Sequence, residues 1–92
     1  MIARRLIIRG CVQGVGYRDA MIAAARACGV TGWVRNRVDG TVEVLIQGEA
    51  DAVARAISWC RRGPAPARVT AIDIAEEVAA DRGVAFAVRP TL

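Results

Sequence analysis

The sequence has no histidine and no lysine, so arginine supplies all 13 of its basic residues. Without histidine the chain cannot build a Ser-His or Cys-His nucleophile pair, an imidazole general base or a histidine-ligated metal site. A Walker A loop is excluded as well, because that motif requires a lysine at the nucleotide phosphates. These absences remove many common kinds of active site.

Cysteine is scarce and poorly arranged for cross-linking or metal binding. The three cysteines, Cys11, Cys28 and Cys60, form no C-x-x-C pair and are odd in number. Such a set indicates neither a complete disulfide framework nor a structural zinc site. We expect buried free thiols, and we expect neither a metal nor another cofactor.

Long hydrophobic runs are missing. Hydrophobic residues make up 54% of the chain, but Arg, Gly or Asp interrupts every apolar run well before the roughly 18 residues that span a bilayer. The segment from Met1 to Arg9 has basic residues before an apolar run, yet that run is too short for a signal peptide and lacks a small-residue cleavage site. We therefore expect a cytoplasmic protein with no membrane partner.

Aromatic residues account for only 4% of the chain, which argues against a sheet that stacks on RNA bases. Trp33, Trp59 and Phe86 are instead expected to fill the core. The net charge of +4 and the pI near 9.8 favour an anionic partner. Nucleic acid, an acidic surface and a phosphorylated small molecule all meet that requirement.

A chain of 92 residues is expected to form one domain, spanning 1–92, because it is too short to bury two separate cores. Apolar periodicity, alanine-rich runs and Gly or Pro punctuation predict its elements. The predicted strands cover residues 6–8, with Arg5 and Arg9 flanking them and Gly10 ending the strand, and residues 30–38, 41–47, 69–75 and 84–88. The predicted helices cover residues 18–28 and 49–62. Asp39-Gly40 is expected to supply the positive φ angles of a tight turn between the second and third strands.

This order, βαββαβ followed by a short C-terminal strand, predicts an α+β fold. We expect a ferredoxin-like sandwich, with two helices on one face of a mainly antiparallel sheet. In that topology the first and second strands run parallel, with the third strand between them. Their carboxyl ends meet at one edge of the sheet, so the loop after Cys11 is expected to lie beside Asn36.

The segment between the first strand and the first helix is rich in glycine. Its residues are Val12, Gln13, Gly14, Val15, Gly16, Tyr17 and Arg18. Backbone N–H groups that converge at a helix N-terminus form a preferred phosphate site, and an arginine guanidinium matches two phosphate oxygens. On spacing alone, however, a tight turn followed by a solvated arginine is the commoner arrangement.

Two other phosphate-binding motifs fit this loop poorly. A Rossmann fingerprint requires glycine where Asp19 stands. A thiol phosphatase loop has one residue fewer between its cysteine and its arginine than the six that separate Cys11 from Arg18. The extra residue would displace the sulfur from the centre of the loop, so we expect Cys11 to be a packed residue at the strand end.

The loop and the second hairpin together carry a family resemblance. The segments Gly10–Arg18 and Gly32–Glu43 resemble the two signatures of the acylphosphatase family, and Gly63-Pro64, Ala67-Arg68-Val69 and Phe86 extend the similarity over nearly the whole chain. The resemblance implies an enzyme that hydrolyses the carboxyl–phosphate anhydride of acyl phosphates to a carboxylate and inorganic phosphate. It implies no metal and no covalent enzyme intermediate.

The same resemblance implies a role for each residue of the site. Backbone amides from Val12 to Arg18 would bind the phosphate, the Arg18 guanidinium would anchor it, and Asn36 would hold the attacking water. Two residues depart from the family pattern, because Tyr17 stands where phenylalanine is usual and Arg37 adds positive charge next to Asn36. These departures bear on substrate preference.

Simpler interpretations exist for individual residues. Asn36 on its own could begin a turn toward Asp39-Gly40, since asparagine favours such positions. Asp19, Glu43 and Glu49 are expected to be solvated or helix-end carboxylates rather than an acid–base pair.

Two alternative functions are compatible with the same fold and do not involve hydrolysis of an acyl phosphate. Arg61-Arg62 together with Arg35 and Arg37 could form a basic surface for nucleic acid. A catalytically silent phosphate-binding module is the other alternative, because a fold does not by itself establish turnover. The resemblance favours a monomer that takes a small acyl phosphate as substrate, holds inorganic phosphate or another anion in the loop, and does not bind nucleic acid.

Overall fold

A computed structural model describes residues 1–80 and 85–92 of the chain. Its elements are β1 (Ile2–Cys11), α1 (Tyr17–Cys28), β2 (Thr31–Asn36), β3 (Val42–Gly48), α2 (Ala50–Arg62), β4 (Arg68–Glu77) and β5 (Phe86–Val88). The predicted order of strands and helices is confirmed. The first predicted residue of the last strand, Val84, lies outside the described residues.

The strands form one sheet in the order β4-β1-β3-β2-β5. β3 pairs antiparallel with both β1 and β2, β4 pairs antiparallel with β1, and β5 pairs parallel with β2. Since β1 and β2 both oppose the strand between them, they run parallel to each other. The ferredoxin-like prediction is therefore confirmed, and the loop after β1 emerges beside the end of β2.

The core lies between the sheet and the two helices. Leu6, Val34 and Val44 point from the central strands toward the helices, and Met21 of α1 and Ala56 of α2 cover them; all five are fully buried. Burying a large aliphatic side chain stabilises a fold by about 1.5–3 kcal/mol, so this face holds the layers together. Neither described helix is long and apolar enough to cross a membrane.

The opposite face of the sheet carries charged side chains, and one of them is buried. Glu43 in the middle of β3 is only 2% exposed. Its carboxylate accepts hydrogen bonds from Arg5 Nη1 on β1 at 2.9 Å and from Arg35 Nε on β2 at 2.7 Å. The prediction that Glu43 is a solvated carboxylate is therefore wrong, because the cross-strand register places an arginine on each side of it.

Trp33 also differs from its predicted position in the core. It alternates with the buried Val34 along β2 and so lies on the helix-free face, half-buried and close to two guanidinium groups. The Arg35 and Arg89 Cζ atoms lie 4.7 and 5.1 Å from the centre of its ring. Phe86, by contrast, is 1% exposed and belongs to the core as expected.

Two local differences have clear physical causes. β1 begins earlier than predicted, and Arg4 and Arg5 pair there with acidic side chains on the neighbouring strands. The prediction that Gly10 ends the strand is wrong, because β1 continues past a bulge between Arg9 and Gly10 and pairs with β4 as far as Cys11. The β2–β3 turn is longer than the tight turn predicted for Asp39-Gly40. Only Gly40 has a positive φ angle, and Arg37 N–H donates to the Thr41 carbonyl across the turn at 2.9 Å.

Candidate active site

A small cavity of about 90 Å³ opens where the β1–α1 loop meets the end of β2. The sheet topology creates it, because the carboxyl ends of the parallel strands β1 and β2 lie at the same edge. The residues that line it are Val12, Gln13, Gly14, Gly16, Tyr17, Arg18, Asp19 and Asn36. Both predicted catalytic residues and all but one of the predicted loop residues therefore border one space.

The loop backbone alternates in handedness. Gly14 and Gly16 have φ angles of 73° and 80°, and no residue other than glycine has a positive φ among those described. A Cβ at either glycine would meet no atom within 4 Å. Glycine is therefore needed for the positive φ angle and not to avoid a steric clash. Alternation of this kind turns successive N–H groups toward one side and forms an anion-binding nest.

The donors of this nest have no acceptor in residues 1–80 or 85–92. Within the described part of the chain, no carbonyl accepts from the N–H groups of residues 13–19, and the first bond of α1 runs from Ala20 N–H to the Gly16 carbonyl at 3.1 Å. A helix N-terminus also carries a partial positive charge. The loop and the first turn of α1 together offer a row of unpaired donors to an anion.

Two buried side chains fix the ends of the loop. Val12 is 1% exposed and Tyr17 is 2% exposed, and both belong to the core. Val15 is the one predicted loop residue that does not line the cavity, because its side chain packs against the same core. The donors between these anchors are thereby held in position before a ligand arrives.

Arg18 lines the cavity as the second residue of α1. Its side chain is partly exposed, and it forms no ion pair with any residue that the structure describes. A guanidinium without an internal partner at the edge of an anion nest is available for bidentate contact with phosphate oxygens.

Asn36 ends β2 on the helix-facing side, where it borders the cavity. Its backbone carbonyl accepts from Leu92 N–H at 3.1 Å, while its carboxamide bonds to no group in residues 1–80 or 85–92. The turn itself lies further along, where Gly40 N–H donates to the Arg37 carbonyl at 3.1 Å. Asn36 is therefore a strand residue that faces the cavity. The alternative interpretation, in which Asn36 begins the turn, does not match its position in β2.

Two features of this site were not predicted from the sequence. The side chain of Gln13 reaches the β2–β3 hairpin, where its Nε2 donates to the Arg37 carbonyl at 2.7 Å and to the Thr41 carbonyl at 2.9 Å. Asp19, expected to be a helix-end carboxylate, occupies the first turn of α1 and also borders the cavity. No spacing of residues in the sequence predicts the Gln13 contact or the position of Asp19 beside the cavity.

Arg37 follows Asn36, but it contributes less charge to the site than its position in the sequence indicates. Its Nε lies 3.9 Å from Asp39 Oδ2, and its Nη1 lies 3.8 Å from Glu43 Oε2. Its side chain thus meets two carboxylates and does not border the cavity. These neighbours offset much of its positive charge.

The cysteines do not contribute to this cavity. Cys60 is buried and Cys28 is half-buried, but Cys11 is exposed, so the prediction that Cys11 packs at the strand end is wrong. It is the last residue of β1, where it pairs with Arg68 of β4 after the bulge between Arg9 and Gly10. Among the described residues, no group of Cys, Asp and Glu side chains is arranged to hold a metal ion.

Comparison with known proteins places the chain in a family. The acylphosphatase family model matches residues 4–88. The acylphosphatase of Acidovorax sp. (strain JS42) is 55% identical over 80 residues, which cover 87% of this chain and 82% of that protein. The acylphosphatase of Azoarcus sp. (strain BH72) is 47% identical over 91 residues, which cover 99% of this chain and 92% of that protein.

A solved structure gives the same result in three dimensions. The crystal structure of acylphosphatase from Bacillus subtilis superposes with a TM-score of 0.92 at 32% identity, covering 97% of this chain and 99% of that chain. Sequence, fold and the matched length agree, and so this chain belongs to the acylphosphatase family.

Proposed function

We propose that the loop amides, the Arg18 guanidinium and the Asn36 carboxamide carry out the hydrolysis of acyl phosphates in this chain. The activity follows from family membership, since acylphosphatases are enzymes that hydrolyse acyl phosphates. The division of labour among the residues is our proposal. One observation carries it: backbone donors, a guanidinium and a carboxamide that have no partner among the described residues border a single small cavity.

Binding begins with the phosphoryl group of the substrate. In this scheme its oxygens accept from the loop N–H groups of Val12 to Arg18, and Arg18 also contacts two of them through its planar guanidinium. These donors are fixed by the buried Val12 and Tyr17, so they need little reorganisation when charge builds up on the phosphoryl oxygens.

The attacking water is assigned to Asn36. A carboxamide both donates and accepts, so it can hold a water molecule in line with the bond that breaks. The carboxylate is a good leaving group and needs little acid assistance. Because the chain has no histidine, we assign the water's proton to an oxygen of the substrate phosphate.

The nucleic-acid alternative loses support on the helix-free face of the sheet. Arg35 is bonded to the buried Glu43 at 2.7 Å, and Arg37 faces two carboxylates. The ring of Trp33 already has the Arg35 and Arg89 guanidinium groups within about 5 Å of its centre. Arg35 and Arg37 thus each already have a carboxylate within 4 Å.

The remaining predictions concern the setting of the protein. A cytoplasmic location agrees with three cysteines that are all free, because thiols persist in reducing compartments. The cytoplasmic location and the monomeric state both stay predictions.

Purified protein should hydrolyse benzoyl phosphate in the presence of EDTA, with inorganic phosphate as a competitive inhibitor. Phosphate binding without turnover would instead indicate a silent phosphate-binding module. Salt-sensitive binding of an oligonucleotide, again without turnover, would support the nucleic-acid module. Activity that EDTA abolishes would contradict the metal-free mechanism.

A further inference from the structure

The side chain of Gln13 links the phosphate loop to the hairpin that carries Asn36. Its Nε2 donates both hydrogens to backbone carbonyls, those of Arg37 and Thr41, at 2.7 and 2.9 Å. Those carbonyls stand on opposite sides of the β2–β3 turn, at its base. Among residues 1–80 and 85–92, no other side-chain hydrogen bond joins this loop to the hairpin.

This contact acts where the loop is otherwise held least. Val12 and Tyr17 are buried at its two ends, and Val15 packs against the core. Gly14 and Gly16 have no side chains to pack. The contact spans a sequence separation of 24 residues to Arg37, the neighbour of Asn36. It therefore fixes a distance that neither the loop nor the hairpin sets alone.

We propose that Gln13 is a positioning residue, which holds the Asn36 carboxamide at a fixed place relative to the phosphate cradle. The inference rests on the proposed function, in which the cradle binds phosphate and Asn36 orients water. Gln13 contributes its backbone N–H to the cradle, and its side chain, turned away to the hairpin, sets the position of the second catalytic group.

The proposal predicts a specific split between binding and turnover. Phosphate binding depends on the cradle and Arg18, which keep their own anchors when the Gln13 side chain is removed. Turnover depends on the alignment of water and phosphorus, and a misplacement of about 1 Å can cost roughly 100-fold in rate. Gln13→Leu should therefore lower kcat by about 10- to 100-fold while the inhibition constant of phosphate changes by less than about 3-fold.

Gln47 provides a matched control. It is a second glutamine whose side chain bonds to a distant backbone, donating to the Ala80 carbonyl and accepting from Ala80 N–H at 2.9 Å, and it does not border the cavity. Gln47→Leu should lower stability toward urea while kcat on benzoyl phosphate stays within about 2-fold of the parent, a change that falls within about 0.4 kcal/mol. An equal loss of kcat in Gln47→Leu would show that the effect of Gln13→Leu is merely a general loss of stability.

The decisive experiment is a double-mutant cycle on kcat between Gln13→Leu and Asn36→Ala. If Gln13 acts through Asn36, adding Gln13→Leu to Asn36→Ala should change kcat by less than about 3-fold. Fully additive losses, or a phosphate inhibition constant that rises in step with the fall in kcat, would overturn the proposal. An inactive parent protein, or an Asn36→Ala variant with unchanged kcat, would instead refute the proposed function itself.

Discussion

The Tyr17 hydroxyl donates a hydrogen bond of 2.8 Å to the Cys60 carbonyl, and so joins the beginning of α1 to the last turn of α2. The Cys60 carbonyl lacks its usual hydrogen-bond donor within the helix. Its usual helical partner would be the N–H of residue 64, which is Pro64 and has none. The tyrosine that stands where phenylalanine is usual in the family therefore completes the hydrogen bonding of α2, beside the β1–α1 loop.

Tyr17→Phe should destabilise the fold without altering catalysis. The variant leaves a buried carbonyl without its donor, which costs about 1–2 kcal/mol in the free energy of unfolding. Urea denaturation measures that loss. Because the hydroxyl bonds to Cys60 rather than to a group at the cavity, kcat should stay within about 3-fold, or about 0.7 kcal/mol. An unchanged stability with a large change in substrate preference would assign the hydroxyl to the substrate instead.

The sequence predicts most of this architecture, because its strands and helices show their own periodicities and the βαββαβ order permits few topologies. The meeting of the β1–α1 loop with Asn36 follows from that topology alone. The burial of Glu43 does not follow from the topology. It depends on the strand register, which brings Arg5 and Arg35 close to the Glu43 carboxylate. The Gln13 contact is hidden for the same reason, because its acceptors are backbone carbonyls 24 and 28 residues away.

Glu43 should give the fold a dependence on acidic pH. Burial raises the pKa of its carboxyl, but hydrogen bonds from Arg35 and Arg5 outweigh that effect and hold the pKa below its ordinary value of 4.5. A lowered pKa in the folded state stabilises the protein above about pH 5, and this contribution is lost as the pH falls through 4.5 toward the folded value.

Glu43→Gln tests this linkage. The variant should lose about 2 kcal/mol of stability at pH 7, the scale of hydrogen bonds to a charged group, and its stability should fall less than that of the parent between pH 5 and about 3. Asp73→Asn serves as the control, because the Asp73–Arg9 pair is exposed and should contribute less than about 1 kcal/mol. Parallel pH profiles for Glu43→Gln and the parent protein would contradict the assignment.

The rate of hydrolysis should be nearly independent of pH between about 5 and 8. The proposed catalytic groups are a guanidinium, a carboxamide and backbone amides, and the chain has no histidine, the residue type whose ionisation ordinarily falls in that interval. Measurement of kcat on benzoyl phosphate across this range, corrected for spontaneous hydrolysis, provides the test. A bell-shaped profile would reveal an acid and a base that the proposed mechanism does not contain.

Cys11 should be dispensable for turnover. Its thiol is exposed at the end of β1 and does not border the cavity, so it is not placed to attack phosphorus. Cys11→Ser should retain kcat within about 2-fold, or about 0.4 kcal/mol, and alkylation of the parent protein at this thiol should leave the reaction intact. Complete loss of activity in Cys11→Ser, with a trapped thiophosphate ester in the parent, would establish covalent catalysis instead.

The most direct test compares Arg18→Ala with Asn36→Ala in two quantities, kcat on benzoyl phosphate and the inhibition constant of inorganic phosphate. We predict that Arg18→Ala weakens phosphate binding by more than about 10-fold and lowers kcat/KM by well over about 100-fold. Asn36→Ala should lower kcat by about 100-fold, or about 3 kcal/mol, and leave the phosphate inhibition constant within about 3-fold of the parent value. An equal loss of phosphate affinity in both variants would contradict the assignment of anion binding to Arg18 and water orientation to Asn36.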